Sequence, residues 1–426
     1  MKLQSVGLLA LFASLACQSL SPSDPPPSSS GGSGGRATGG RGGAAGVGAG
    51  GAGARTGGSS GEGGAMAAGG ASGTGGATAP TDAGQDASGG GSGDAREAGQ
   101  PDRAPNTDVV VADTAPRDTA GNGDVSLPPP PPGDVCGYPS ARKVMVTNAN
   151  TLRTALAAAA AGDMIQFAAG SYVGKFDLTA SGTKAQPIVL CGPRAAIIDA
   201  GGSGYGLHLD GASFVVVSGI SITNGLKNVM LDNAHDNLLS NIYVANSKQE
   251  GVHFRMGSSR NVIIGSEIRD TGTAQAEFGE GLYIGSSGGS DEANDNKAVN
   301  NKFSNNGAEC IDIKEGTRGG LISGNTMDGG GLKGENFADS LIDVKGNNYI
   351  IENNEGGNAL LHAFEVHSIN GRADSGHNNV FRNNTLSVKN PMGLGIWLDV
   401  KAMNNVVACS NKVTGGMGFS TAMCTP

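Results

Sequence analysis

The chain has 426 residues, a net charge of −9, 74 glycines and 4% aromatic residues. It contains no basic stripe, phosphate-binding loop or dinucleotide fingerprint, which argues against nucleic acid as a partner and against nucleotide chemistry. The acidic excess is spread along the chain, since residues 22–134 carry twelve acidic and six basic groups and residues 135–426 carry 26 and 22.

Residues 1–16 predict an export signal, because Lys2 is followed by an apolar run too short to span a bilayer. The sequence Leu15-Ala16-Cys17 resembles the end of a bacterial lipoprotein signal. That resemblance implies a lipid on Cys17, and Gln18 after it favours the outer membrane. Ser14-Leu15-Ala16 also suits an ordinary signal peptidase, so secretion without an anchor stays open.

Residues 17–134 predict a disordered tether. They are rich in Gly, Ala, Ser and Pro, and such a composition buries too little surface to offset the chain entropy. A Gly-rich coil of about 117 residues has a root-mean-square span of about 60 Å. We therefore expect a folded domain, residues 135–426, held outside the cell at the membrane surface.

One short helix is predicted near the start of this domain. Asn150 is its N-cap candidate, an alanine run follows Leu156, and Gly162 ends it. We expect the helix to cover the open end of the domain, because the interior of a terminal repeat is otherwise wet.

Eight later segments share one alternating pattern of apolar and polar side chains, as in strands with one buried face. They are 207–210, 229–232, 252–255, 281–285, 310–314, 341–345, 364–367 and 396–399. They start about 22 to 31 residues apart, a spacing typical of stacked coils. Each repeat holds a second apolar run about ten residues later, and a polar or glycine turn follows it. Asn tolerates the left-handed backbone of such corners, and stacked Asn amides can bond between coils. The pattern resembles the right-handed parallel β-helix family, which implies an all-β solenoid over residues 135–426.

Stacking the strands in this phase predicts two outward columns. One reads His208, Met230, His253, Tyr283, Asp312, Asp343, Glu365, Trp397, and the other reads Asp210, Asp232, Arg255, Gly285, Lys314, Lys345, His367, Asp399. Neighbours in a column lie about 4.8 Å apart. Stacked carboxylates repel at that distance unless lysines or Ca²⁺ neutralise them. Loops 271–280, 286–296 and 328–339 are expected to wall a groove beside the columns.

The run from Glu309 to Lys314, with Lys345 one coil later, is similar to a pattern in β-helix polysaccharide lyases of the chondroitinase B and alginate lyase type. The resemblance implies that Glu309 binds Ca²⁺ and that Lys314 removes a proton. Lys345 stands where those enzymes have an Arg that assists the leaving group, and His367 is its candidate substitute. We expect crowding by Lys345 to depress the pKa of Lys314.

Other column residues complete the hypothesis. Asp312, Asp343 and Glu365 are further candidate Ca²⁺ ligands, and Tyr283, Arg255 and Trp397 are candidate substrate contacts. The partner would be an acidic polysaccharide and the protein a monomer. A hydrolase using Asp312 and Asp343, a non-catalytic glycan-binding protein, and a purely structural Asp/Lys ladder stay open.

Six cysteines in an exported chain suggest disulfides. If Cys17 carries lipid, five remain. Cys136 could pair with Cys191 and Cys409 with Cys424, which leaves Cys310 unpaired.

Overall fold

The computed structural model describes residues 127–131, 133–369 and 375–426. These residues form three parallel β-sheets of eleven, ten and ten strands around one apolar interior. From Asp163–Phe167 onward, successive strands fall in sheet I, sheet II and sheet III in turn, and each strand before the last coil pairs with a strand one coil later. The described residues therefore form a parallel β-solenoid, as the spacing of the strands predicts.

Sheet I contains Arg142–Val146, Asp163–Phe167, Ile188–Cys191, Val215–Ser218, Leu238–Ser240, Val262–Ile264, Lys297–Val299, Leu321–Ser323, Ile350–Glu352, Val380–Arg382 and Val406–Val407. Sheet II contains Gly170–Val173, Ala196–Asp199, Ser221–Thr223, Tyr243–Ala245, Glu267–Thr271, Lys302–Asn306, Thr326–Asp328, Glu355–Gly357, Thr385–Val388 and Lys412–Gly415. Sheet III contains Phe176–Leu178, Tyr205–Asp210, Lys227–Asp232, Val252–Arg255, Leu282–Ile284, Ile311–Ile313, Ile342–Val344, Phe364–Val366, Leu394–Leu398 and Gly418–Ser420.

The predicted helix is present over Ala149–Ala157. Its N-cap is Asn148 rather than Asn150, because the Asn148 side chain accepts hydrogen bonds from Asn150 N and Thr151 N, both at 3.0 Å. The helix ends before Gly162, and its buried side chains join the main core. Among the described residues, short 3₁₀ helices cover Ala276–Phe278 and Gly329–Gly331, and Glu335–Phe337 forms a turn with a left-handed backbone inside it. Within the described ranges, no helix has the length and apolar character needed to cross a membrane.

The register of sheet III confirms the first predicted column. Asp312 pairs with Tyr283 on one side and Asp343 on the other, Asp343 pairs with Glu365, and Glu365 pairs with Trp397. The alternating apolar residues of these strands are fully buried. The second column follows the same ladder, since the backbone N–H groups of Lys314, Lys345 and His367 each donate to the preceding coil.

In the described residues, two ladders of asparagine amides stabilise corners between the sheets, and the shorter one joins Asn237, Asn261 and Asn296. The longer one joins Asn301, Asn325, Asn354, Asn384 and Asn411 through side-chain bonds of 2.8–3.0 Å. Each Nδ2 also donates to a backbone carbonyl of a sheet I strand, so the hydrogen-bonding groups of these buried amides are satisfied. In several coils the residue before the ladder Asn has a left-handed backbone, as Asn353 does at φ 56. This geometry matches the predicted role of Asn at tight corners.

A covalent bond ties the start of the described region to sheet I. Cys136 is bonded to Cys191 and Cys409 to Cys424, and the buried Cys310 forms no disulfide with any described residue. Leu127 is buried against outward residues of sheet I, including Met164 and Val216. The predicted export signal, Cys17 and the tether up to residue 126 lie outside the described residues.

We expect Asn354→Ala to destabilise the solenoid. The change removes the acceptor of the backbone N–H and the side-chain Nδ2 of Asn325, and the donor to the backbone carbonyl of Ile322. A cost of about 3 kcal/mol in the free energy of unfolding is expected from such unpaired groups. Urea denaturation followed by circular dichroism measures it.

The control is Thr385→Ala, at an exposed position of a neighbouring strand, with an expected cost within about 0.5 kcal/mol. Equal stability of the Asn354 and Thr385 variants would contradict an energetic role for the ladder.

Candidate functional site

A cleft of about 690 Å³ lies on the outer face of sheet III. The three predicted loops contribute to its walls: Glu277 and Glu280 from the first, Ser287 and Gly288 from the second, and Phe337 and Asp339 from the third. The cleft is also lined by Glu309, Asp312, Lys314, Glu315, Asn336, Ala338, Asp343, Lys345, Leu361, His362, Glu365, His367, Ile369 and Trp397. The structure therefore brings together eight of the ten residues that the sequence nominated for catalysis, substrate contact or metal binding.

Two lysines share one carboxylate on the floor of the cleft. Asp312 lies 2.8 Å from Lys314 Nζ and 3.1 Å from Lys345 Nζ. Lys345 also contacts Asp343 at 2.5 Å. Because the ladder holds the two strands in register, the ammonium groups and their carboxylates form one fixed row across two coils.

The pKa of Lys314 departs from the sequence expectation. Burial by itself lowers the pKa, but the charges of Asp312 and Glu280 outweigh burial and raise it above the usual lysine range. The same balance, with Asp312 and Asp343 as the anions, raises the pKa of Lys345. The predicted lowering of the Lys314 pKa is therefore wrong for the protein without bound ligand. Carboxylates at contact distance stabilise the charged ammonium more than the ammonium of Lys345 destabilises it.

His367 extends this row by one coil. Its Nε2 lies 2.9 Å from Glu365 Oε2 and 3.7 Å from Asp343 Oδ1. Burial lowers the pKa of His367, but these anions outweigh it and raise the pKa overall, whereas burial raises the pKa of Glu365 to about 7. The row thus ends in an imidazole that holds a proton readily.

A cluster of three buried carboxylates lies beside the lysines. Single oxygens of Glu280, Glu309 and Asp312 all lie within 4.8 Å of one another. Burial raises the pKa of Glu280 to about 8 and holds the pKa of Glu309 well above its usual range. Glu280 Oε2 is buried and has no hydrogen-bond partner among the residues that the structure describes. Converging carboxylate oxygens with an unpaired member match the donor set that a hard divalent cation takes.

This cluster agrees only in part with the ligands nominated from sequence. Glu309 and Asp312 belong to it, whereas Asp343 and Glu365 lie beside Lys345 and His367. Sequence reasoning missed Glu280. The sequence did contain a signal for Glu280. In three successive coils a Glu stands two residues before the sheet III strand, at Glu250, Glu280 and Glu309. The structure stacks the last two, since Gly281 N donates to Glu309 O.

The three candidate substrate contacts occupy different places. Trp397 lines the cleft. Tyr283 is buried under Lys314, whose Nζ lies 4.8 Å from the ring centre. Arg255 is not among the cleft residues and binds Asp232 at 2.8 Å.

Comparison with known proteins places the chain in a family. Residues 196–326 match the family described as right handed beta helix region. The crystal structure of an alginate lyase from Paenibacillus sp. str. FPU-7 is 33% identical with a TM-score of 0.64, and the match covers 67% of this chain and 100% of that one. The chain belongs to the right-handed parallel β-helix family. No curated protein sequence matches this β-helix protein.

More distant structures share the fold of the β-helix protein. Pectate lyase Pel9A is 16% identical with a TM-score of 0.50, over 68% of this chain and 82% of that one. A lacto-N-biosidase from Eubacterium ramulus is 12% identical with a TM-score of 0.51, over 63% and 60%. At these identities the likeness concerns the fold alone.

The rim of the cleft carries an aromatic residue that the sequence did not single out. Phe337 is 81% exposed and has a left-handed backbone at φ 63, next to Asn336 at φ 52. Such a backbone is costly for a bulky residue and persists where neighbouring contacts enforce it. Leu332 and Ala338, both buried, anchor the two ends of this loop.

Proposed function

We propose that the β-helix protein is a polysaccharide lyase that cleaves an acidic polysaccharide by β-elimination. The observation that carries the proposal is the row of Lys314, Lys345 and His367 beside buried carboxylates on the floor of a loop-walled cleft. The likeness to the alginate lyase over that enzyme's full length supports the same chemistry.

β-Elimination from a uronate needs three things that this row can supply. The substrate carboxylate must be neutralised, a base must take the proton at C5, and a donor must protonate the departing oxygen. Lys345, held between Asp312 and Asp343, is a fixed cation suited to the first task. We assign the base to Lys314, in line with the lyase-like sequence pattern, and the donor to His367, which Glu365 orients.

The charge of the cleft bears on how an acidic polymer enters it. Glu277, Glu280, Glu309, Asp312, Glu315, Asp339, Asp343 and Glu365 line the cleft, against two lysines. Among these carboxylates, Asp312 and Glu280 hold the pKa of Lys314 above its usual range, so Lys314 can act as the base only when their charge is offset. Ca²⁺ held by Glu280, Glu309 and Asp312 would offset this negative charge and attract the uronate carboxylate. The cation is therefore part of the proposal.

The geometry argues against a hydrolase that uses Asp312 and Asp343. Hydrolysis by two carboxylates needs room between them for the sugar bond or a water. Lys345 Nζ occupies that space, because it lies 3.1 Å from Asp312 and 2.5 Å from Asp343.

Incubation of the purified protein with alginate, pectate or a glycosaminoglycan is expected to produce the ultraviolet absorbance of an unsaturated uronate from at least one of them. Lys314→Ala should lower kcat by about 10²-fold or more, because the base is lost. Lys302→Ala, at an exposed lysine of sheet II, should turn over as the wild type does.

Counting reducing ends in parallel separates the alternatives. New reducing ends without the absorbance would mean hydrolysis. Polysaccharide binding without any turnover, and unchanged in Lys314→Ala, would mean a non-catalytic binding protein.

Ca²⁺ is expected to raise the melting temperature of EDTA-treated protein, because a ligand that binds only the folded state stabilises it. Glu280→Gln should weaken this shift by removing one carboxylate of the cluster. Differential scanning fluorimetry against Ca²⁺ concentration measures the effect without reference to activity.

The matched control is Glu292→Gln, at a carboxylate whose side chain is 68% exposed and which does not line the cleft. A calcium shift that is absent from the wild type, or unchanged in Glu280→Gln, would overturn the cation site.

We also propose that the protein is exported, lipidated on Cys17 and displayed as a monomer at the outer membrane. The two disulfides support an oxidising compartment. Globomycin should cause the unprocessed form to accumulate in the native host, and Cys17→Ala should release the protein from membranes. Unchanged processing and fractionation would contradict the lipid anchor.

A further inference from the structure

His362 has a fixed tautomer at the cleft. Its Nδ1 lies 2.9 Å from Leu394 N, and a backbone N–H can only donate, so Nδ1 is the acceptor. Burial lowers the pKa of His362, which agrees with a neutral ring. A neutral imidazole that accepts at Nδ1 carries its hydrogen on Nε2. His362 lines the cleft, and Nε2 is the one ring nitrogen that can donate a hydrogen bond there.

The same ring positions Trp397. The His362 and Trp397 rings stack with centroids 5.8 Å apart and planes 10° apart, and His367 approaches Trp397 at 5.0 Å. Trp397 is half-buried. In sheet III it lies opposite Glu365, which in turn lies opposite Asp343. An indole held in this way lies one coil from His367 and two from Lys345.

We propose that His362 and Trp397 form a sugar-binding subsite next to the row of Lys314, Lys345 and His367. A sugar ring of the polysaccharide packs on the indole, and one of its oxygens accepts a hydrogen bond from His362 Nε2. An indole beside a single directed donor is the combination that holds an amphipathic ring in one orientation. The subsite rests on the proposed function, because it gives the polymer one fixed position relative to the reacting residues.

The chain offers a direct reporter and a matched control. Trp397 is the single tryptophan of the sequence, so intrinsic tryptophan fluorescence reports on this subsite alone. His377 makes the same kind of bond, since its Nδ1 lies 2.9 Å from Met403 N, but it does not line the cleft. His377→Asn therefore repeats the backbone change of His362→Asn away from the cleft.

The experiment titrates oligomannuronate and oligogalacturonate into full-length Lys314→Ala protein, which should not consume them. At least one should change the fluorescence of Trp397 saturably. His362→Asn in this background keeps an acceptor for Leu394 N but has no donor at the Nε2 position. It should weaken binding about 5- to 10-fold, the loss expected for one hydrogen bond. His362→Gln should restore part of the affinity, and His377→Asn should bind normally.

Two results would overturn the subsite. Normal binding by His362→Asn, with weak binding only by His362→Ala, would show that His362 merely supports the backbone of Leu394. Turnover of a polysaccharide whose oligomers leave the fluorescence unchanged would place the sugar elsewhere. A saturable fluorescence change that needs His362, in a wild-type protein that turns over none of the polymers, would instead keep the subsite and reject the lyase.

Discussion

The parallel backbone ladder between successive coils is the constraint on which the rest of this structure depends. It holds strands from distant parts of the chain about 4.8 Å apart and in one register. Its inward residues are fully buried, and a slip of one residue would turn all of them toward water. The outward residues inherit the same order, so Asp312, Asp343 and Glu365 become neighbours although whole coils separate them in sequence.

This rigid frame explains how the cleft tolerates so many buried charges. Asp312 pairs with two lysines, and Glu365 pairs with His367, but Glu280 Oε2 has no hydrogen-bond partner within the described part of the chain. Removing charges from water is expensive unless they are paired. Sheet packing and the asparagine ladders supply stability outside the cleft, so the cleft can keep groups that binding or chemistry requires. Rigidity also fixes the distances on which a lyase would depend.

Much of the fold was readable from local patterns. The strand phase, both columns and the Asn corners follow from side-chain alternation and from Asn tolerance of the left-handed backbone, and the structure agrees with each. The errors have physical causes. Asn148 is the N-cap because its side chain bonds the Thr151 backbone and the Thr151 side chain bonds the Asn148 backbone, a choice that the nearby Asn148 and Asn150 leave open in the sequence. Glu280 was missed because it lies before the strand Leu282–Ile284, outside the alternating pattern that marks outward side chains.

The sequence by itself determined the repeating strands, their phase and the residue types that face outward, because these depend on side chains a few positions apart. Only the tertiary structure decided which outward residues act together. It pairs Arg255 with Asp232, brings Glu280 close to Glu309 and stacks His362 on Trp397. It also raises the pKa of Lys314, which the sequence had been expected to lower. These outcomes depend on loop paths and on distances of a few ångströms between charges, which no local pattern encodes.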